Sequence, residues 1–203
     1  MRRMTEAIVI LASGSVTRAR LLRAAGLLIE VDPAGVDEDE IKTSMKAEGA
    51  PVSDVAQALA DLKASRKSSR YPGRFVIGAD QMLDCDGAWF DKPPTLEKAR
   101  AQLAALSGRT HHLHTAASIA RDGSVIWRHM TRPALTMRKL SDKFLDAYLH
   151  SEGDDLLGSV GAYRLEGRGA QLFADIRGDY FSILGLPLLP LLHFLRTHDV
   201  LPT

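Results

Sequence analysis

The sequence predicts a mixed α/β fold, and three observations carry that expectation. Short apolar runs alternate with segments at helical spacing along most of the chain, the pattern of a layered α/β protein. Two turn signals, Asp86-Gly87 and Asp122-Gly123, interrupt this alternation in the middle. They read as hairpins, so the sheet is expected to combine parallel and antiparallel pairs. The run Phe75-Val76-Ile77-Gly78-Ala79-Asp80-Gln81 reads as a buried strand that ends in two small residues and a carboxylate. In open α/β sheets ligands bind at the carboxyl ends of strands, so Asp80 stands where a ligand is expected.

The elements follow in order. Glu6 to Leu11 reads as a buried first strand, Ser13 to Ser15 as a tight turn, and Thr17 to Ala25 as a helix with Leu21 and Leu22 inward and Gly26 as its stop. Leu28 to Val31 is a second strand. The polar stretch Asp32 to Gly49, with its acidic run Asp37-Glu38-Asp39-Glu40, is expected to be a loop. Ser53 is expected to cap a helix carrying Ala56, Leu59, Ala60 and Lys63, closed by the charged tail Lys63 to Arg70. Arg74 to Leu83 is the central strand, and Thr95 to Leu106 is a helix ended by Gly108. Thr110 to Arg121 and Ser124 to Met137 read as two long strands, which can extend into a second lobe with a ligand cleft between the lobes. Ser141 caps a helix to His150, Gly158 to Gly169 reads as a functional loop or lid, Gln171 to Ile176 as a strand, and Leu186 to Leu195 as a terminal helix.

Composition bounds the function. The chain has 203 residues, 45% of them hydrophobic, enough for a real core in one large domain or two small lobes. A net charge of +1 argues against a broad nucleic-acid or membrane surface, so any anion binding is local. A single cysteine, Cys85, excludes an internal disulfide and a cysteine-based zinc site and suits a reducing cytoplasm. Met1 to Glu6 lacks the apolar core of a signal peptide, and no run approaches the length of a spanning helix.

Several residues can carry chemistry. The Ser13-Gly14-Ser15 turn leads into a helix N-terminus, where free N–H groups and the helix dipole favour an anion, and Arg18 adds a positive charge on the first turn. The same residues can also form a plain N-cap beside a surface arginine. Asp80 can orient water, take a proton or hold a divalent cation, or it can be a turn aspartate bonded to backbone N–H groups. Lys63 and Lys92 are candidate phosphate contacts, each more readily read as solvated when taken alone; Lys92 gains from the stiff Pro93-Pro94 behind it. Glu38, otherwise a solvated acid, can share a cation with Asp80. His111, His112 and His114 suggest a metal cluster, but strand alternation sends His111 to the face opposite the other two, so packing is the better reading. Gly167-Arg168-Gly169 reads as a lid, a phosphate clamp or a turn.

Taken together these pieces resemble the Maf family of nucleoside triphosphate pyrophosphatases. The resemblance runs in order through Leu11-Ala12-Ser13-Gly14-Ser15 with Arg18, Val36-Asp37-Glu38, Leu59-Ala60 with Lys63-Ala64, Ile77-Gly78-Ala79-Asp80, Lys92-Pro93, Leu106-Ser107-Gly108, Gly161-Ala162-Tyr163 with Glu166-Gly167-Arg168-Gly169, and Gly185-Leu186-Pro187-Leu188. It covers nearly the whole chain and implies a single domain, 1–203, with the elongated, two-lobed fold of inosine triphosphate pyrophosphatases. It also implies hydrolysis of a triphosphate to the monophosphate and pyrophosphate, a house-cleaning role, a divalent cation (Mg or Mn) and a homodimer. Asp80 falls on the family's catalytic aspartate. Glu38, Lys63 and Lys92 fall on its polar cleft residues, and Arg18 on the second arginine of its Ser-Pro-Arg-Arg element. Ser13, Ser15, Arg18, Lys63 and Lys92 are then the phosphate contacts, and Glu38 with Asp80 the metal ligands.

Three positions that set base preference in the resembled family fall on Thr17, Gln81 and Glu166. The branch acting on dTTP and UTP carries Arg, Thr and Gln there, and the 7-methyl-GTP branch Trp, Gln and Glu. Two of three match the second. A carboxylate only accepts hydrogen bonds, which suits the adjacent N1–H and N2–H₂ donors of guanine and the positive charge of its 7-methyl form. Thr17 lacks the tryptophan that could stack on a cationic base, a contact worth about 0.5–2 kcal/mol. Val16 replaces the first element's proline, and Ser159 a lysine common before Val160-Gly161-Ala162-Tyr163. The expectation is therefore a 7-methyl-GTP pyrophosphatase. The alternatives are a dTTP/UTP or broad-specificity enzyme, and a nucleotide-binding regulator of division with little turnover.

Overall fold

Val9–Leu11 forms strand β1 with every side chain buried, as an apolar run without alternation requires of a strand covered on both faces. The structure, a computed structural model, describes residues 8–202, and the expected start of this strand at Glu6 and the Met1–Glu6 segment lie outside them. Helix α1 (Val16–Ala24) opens on Ser15, whose side chain accepts from the Arg18 amide, and buries Leu21 and Leu22 as its spacing demands. Gly26, at φ +83°, ends it in the left-handed region that a glycine enters without steric cost. Strand β2 (Ile29–Val31) then pairs parallel with β1, Val9 opposite Ile29.

The next segment corrects the expected loop. Glu38–Ala47 is a helix, α2. The acidic run is its start: the Asp37 side chain accepts from the Glu40 amide, and Glu38, Asp39 and Glu40 in the first turn complement the positive end of the helix dipole. Acidity that reads as loop composition is here an N-terminus. Helix α3 (Val52–Ser68) begins at Pro51 rather than at Ser53, whose hydroxyl bonds Asp54 instead of capping.

Strand β3 (Val76–Cys85) pairs parallel with β1 and, at its far end, antiparallel with β4 (Ala88–Phe90) through the Asp86-Gly87 turn. Helix α4 (Leu96–Leu106) is capped by Thr95. Strand β5 (Thr110–Arg121) has the expected bounds, but its partner is two strands, β6 (Ser124–Thr131) and β7 (Ala134–Met137). Pro133 lies between them and has no N–H for the ladder. Helix α5 (Asp142–Glu152) starts at Ser141 as expected. The glycine-rich stretch after it is a series of short 3₁₀ turns, Gly153–Gly158, Val160–Ala162 and Arg168–Leu172, with Gly161, Ala162, Tyr163 and Gly169 buried. A Cβ on Gly169 would lie 2.2 Å from the Arg164 carbonyl oxygen, so this glycine serves packing. Strand β8 (Phe173–Arg177), a short helix α6 (Tyr180–Ile183) absent from the sequence reading, and helix α7 (Leu188–Thr197) complete the chain.

Among the described residues eight strands make one mixed sheet flanked by helices, in the order β2-β1-β3-β5-β7-β8, with β4 on β3 and β6 on β5. Two compact units are distinguished along the chain. Of the described residues, the first takes in those up to Asp80, Thr115–Thr131 and those from Gly185 on; the second is Gln81–His114 with Arg132–Leu184. Ile10, Ala12, Ala34 and Val76 form a core cluster in the first unit. In the second, Leu83, Leu103, Leu113, Leu135, Met137, Leu145 and Tyr163 lie at the centre of a larger one.

Candidate active site

Asp80 and Lys63 meet because of a glycine. In β3, Gly78 and Asp80 share one face of the strand, two residues apart. Along α3, Ala56, Ala60, Lys63, Ala64 and Lys67 are all buried, the stripe expected at helical spacing. Gly78 lies so close under this stripe that a Cβ there would be 2.2 Å from the Ala60 carbonyl oxygen and 2.6 Å from the Ala64 amide nitrogen. Only the missing side chain lets helix and strand approach so closely. One step along each element, Lys63 Nζ lies 2.7 Å from Asp80 Oδ1.

Neither residue is a solvated surface group: Lys63 is 7% exposed and Asp80 4%. The same ammonium also lies 2.6 Å from Glu38 Oε1, at the first turn of α2. The α2 helix that replaces the expected loop therefore brings Glu38 to Lys63. Two carboxylates share one ammonium, a charge-assisted arrangement that fixes all three groups. The second oxygen of Asp80, Oδ2, is buried and has no hydrogen-bond partner among the described residues.

Arg18 supplies a second cation. Its Nε donates to the Gly185 carbonyl at 2.8 Å, and its Nη1 donates to Ser13 Oγ at 3.0 Å and to the Ala79 carbonyl at 2.9 Å. Burial pulls its pKa down, and the negative charges of Asp80 and Glu38 pull it back up. An arginine stays charged under such opposition, and here it is held by the carbonyls of Gly185 and of Ala79 within β3. Asp80 therefore lies mid-strand and not at the strand end expected from the sequence, because β3 continues to Cys85 to pair with β4. Ser13 Oγ also accepts from the Ser15 amide, and Ser15 Oγ from the Arg18 amide. The two hydroxyls thus shape the turn and cap the helix, while the first amides of α1 have no acceptor within the helix. Ser13, Ser15, Arg18, Glu38, Lys63 and Asp80 all belong to the first unit, as does Thr17 in the first turn of α1.

The other expected site residues belong to the second unit. Gln81 Nε2 donates to the Ser182 and Ile183 carbonyls at 2.9 and 3.2 Å, so its amide holds the end of α6. Glu166 lies in the turn before the last 3₁₀ segment, its side chain 15% exposed and 3.9 Å from Arg164 Nε. Lys92 is exposed on the segment between β4 and α4.

Sequence reasoning missed a second buried lysine. Lys67, one turn beyond Lys63, lies 2.5 Å from Asp32 Oδ1, and Asp32 also accepts from the Tyr71 hydroxyl. The hydrogen bond from Lys67 pulls the Asp32 pKa below the usual carboxylate range. Arg66 Nη1 donates to the Gly35 carbonyl at 3.0 Å, so α3 ties down the segment that leads to Glu38. The signal was present: Lys67 falls on the same stripe as Ala60 and Ala64. His111 is buried against Tyr163, its Nε2 2.9 Å from the hydroxyl, with Phe173 beside both rings. No group of three or more potential metal-binding His, Cys, Asp or Glu side chains occurs among the described residues.

A family model described as Maf-like protein matches residues 8–198. A nucleoside triphosphate pyrophosphatase of Granulibacter bethesdensis is 58% identical over 95% of this chain and 98% of its own length. One of Paramagnetospirillum magneticum is 54% identical over 94% and 98%. A protein of Mesorhizobium japonicum named 7-methyl-GTP pyrophosphatase is 50% identical over 96% and 97%. Among solved structures, a nucleoside-triphosphatase / dITP/XTP pyrophosphatase from Mycobacterium abscessus aligns with a TM-score of 0.40 and 15% identity, over 94% of this chain and 97% of that one.

Proposed function

The chain belongs to the Maf-like protein family, and from that premise we propose that it is a nucleoside triphosphate pyrophosphatase, converting a triphosphate and water to the monophosphate and pyrophosphate. The observation that carries the proposal is the Asp80–Lys63–Glu38 cluster, in which Asp80 and Lys63 are buried, with Arg18 bonded to the Ala79 carbonyl beside it in β3. Attack of water on the α-phosphorus needs a group to hold the water and cations to offset the charge on the departing pyrophosphate. Asp80 orients the water and accepts its proton. Arg18 and Lys63 oppose the phosphate charge, with the Ser13–Ser15 turn and Lys92 as further phosphate contacts.

The donor set fits a hard divalent cation. Asp80 Oδ2 is a buried carboxylate oxygen without a partner among the described residues, and Glu38 brings a second, half-exposed carboxylate. Mg²⁺ or Mn²⁺ held by these two residues would supply charge neutralisation at the phosphoryl oxygens. The proposal includes one functional domain, a homodimer and a cytoplasmic setting. No described helix is long and apolar enough to cross a membrane.

For the base, the reading is 7-methyl-GTP. It is supported by Glu166, an acceptor-only group matched to guanine's two donors, and by the relative of that name. Gln81 donates to the backbone and so contributes by holding α6 rather than by donating to the base. The test is pyrophosphate release with Mg²⁺ or Mn²⁺ from 7-methyl-GTP, GTP, UTP, dTTP and ITP. The expected result is clear preference for 7-methyl-GTP. Preference for UTP or dTTP would remove the base assignment and leave the chemistry. No turnover of any triphosphate would move the reading to a nucleotide-binding regulator.

A further inference from the structure

We propose that Lys63 is a built-in stand-in for the divalent cation: its ammonium occupies the charge position between Glu38 and Asp80 until the metal binds, and then transfers to the substrate's phosphates. The inference rests on the pyrophosphatase reading for the second half of this exchange, but not for the first.

The geometry argues for exchange rather than for a permanent phosphate clamp. Lys63 Nζ is 2.6 Å from Glu38 Oε1 and 2.7 Å from Asp80 Oδ1, so two of its three donors are spent on carboxylates. A +1 group bridging two carboxylates is the arrangement that a +2 ion between the same carboxylates would replace. Both cations cannot keep the same oxygens, because they would repel at close range inside a poorly hydrated site. Asp80 Oδ2 gives the entering ion a first foothold that the ammonium does not occupy. The flexible four-carbon stem of Lys63 allows the ammonium to move without moving α3, which Gly78 locks against β3.

The exchange gives a reason for the order of events. Between Asp80 and Glu38 the ammonium offsets one of their two negative charges and makes two buried or half-buried acids less costly to the fold. With metal, the same ammonium becomes a donor for the triphosphate. Binding of cation and substrate is thereby coupled through one side chain.

The test is Mn²⁺ binding to nucleotide-free protein by isothermal titration calorimetry, in the wild type, Lys63→Met and Lys63→Arg, each checked for folding by circular dichroism. Removing the ammonium removes the competitor, so Lys63→Met is expected to bind Mn²⁺ about tenfold or more tightly than wild type. Lys63→Arg, which keeps the charge, is expected to stay near the wild-type affinity. Lys63→Gln replaces Lys63→Met if the latter does not fold. Unchanged or weaker Mn²⁺ binding on loss of the charge would overturn the proposal, as would the absence of Mn²⁺ binding in every variant. The readout needs no turnover. Failure of wild-type pyrophosphate release would therefore remove the catalytic reading while leaving the Mn²⁺ comparison to decide the exchange.

Discussion

Replacing Gly78 by alanine adds one methyl group at the contact that creates the site. That methyl would lie 2.2 Å from the Ala60 carbonyl oxygen, 2.6 Å from the Ala64 amide nitrogen and 3.0 Å from Ala64 Cβ. Two of these neighbours are backbone and none is the end of a flexible side chain, so relief must come from moving the helix. Restoring ordinary contact requires α3 to withdraw by about 1 Å, an overpacking that costs about 1–3 kcal/mol. With a urea dependence of about 2 kcal/mol per molar, the unfolding midpoint should fall by roughly 0.5–1.5 M. The same withdrawal displaces the Lys63 backbone from Asp80, so the side chain must re-extend to keep a contact that is now 2.7 Å. Misplacement of about 1 Å at a reacting centre can cost about 100-fold in rate. Gly158→Ala is the control, since a Cβ there meets nothing within 4 Å, and its effect should stay within about 0.5 kcal/mol. Urea unfolding gives the first quantity and steady-state pyrophosphate release the second. A Gly78→Ala protein with wild-type midpoint and kcat/KM within about threefold of wild type would refute the account of how helix and strand position the pair.

Asp80→Asn should lower turnover by about 10²–10⁴-fold while the protein stays folded and still binds nucleotide; sustained catalysis would remove Asp80 from the reaction. Glu166→Gln should weaken guanine-type substrates relative to pyrimidine ones by about 1–3 kcal/mol, read as the ratio of kcat/KM values, and an unchanged ratio would refute base reading by this carboxylate. His111 should make stability pH-dependent. Burial lowers its pKa to about 4 from 6.5, so between those values the unfolded chain binds a proton that the folded protein does not. Stability is then full above about pH 6.5 and falls by about 3 kcal/mol as the pH drops toward 4. His111→Gln should flatten that slope in urea midpoints taken across the window, and identical slopes in both proteins would contradict the assignment.

Local chemistry was legible in the sequence wherever it depends on neighbours along the chain. Ser15 and Ser141 cap helices because a short polar side chain before a helical run has a free amide to meet, and Thr95, read as the first residue of its helix, proves to be the cap for the same reason. Gly26 stops α1, and Asp86-Gly87 makes a hairpin, because positive φ is required there. Asp80 was marked by the apolar run and small residues before it, although β3 runs on through it to Cys85, where pairing with β4 extends the strand. Where one composition serves two structures, the sequence was ambiguous: Asp37 to Glu40 suits a loop as well as the first turn of α2, and only the Asp37 cap and the Lys63–Glu38 pair resolve it. Pro133 was visible, but that it divides one long strand into two depends on which neighbours need an N–H.

The sequence by itself determined which residues can do chemistry: an aspartate after an apolar run and two small residues, a serine turn before a helix with an arginine on its first turn, and Lys63 at helical spacing. The tertiary structure decided what those residues are to one another. It buried Lys63 and Lys67, which composition reads as solvated, and paired each with a carboxylate distant in sequence. It spent the Gln81 amide on backbone carbonyls and aimed Arg18 at Gly185 and Ala79. The physical reason is that charge pairing and desolvation act through space at a few ångströms. Such separations between residues far apart in the chain are set by packing, here by the bare backbone of Gly78 against α3.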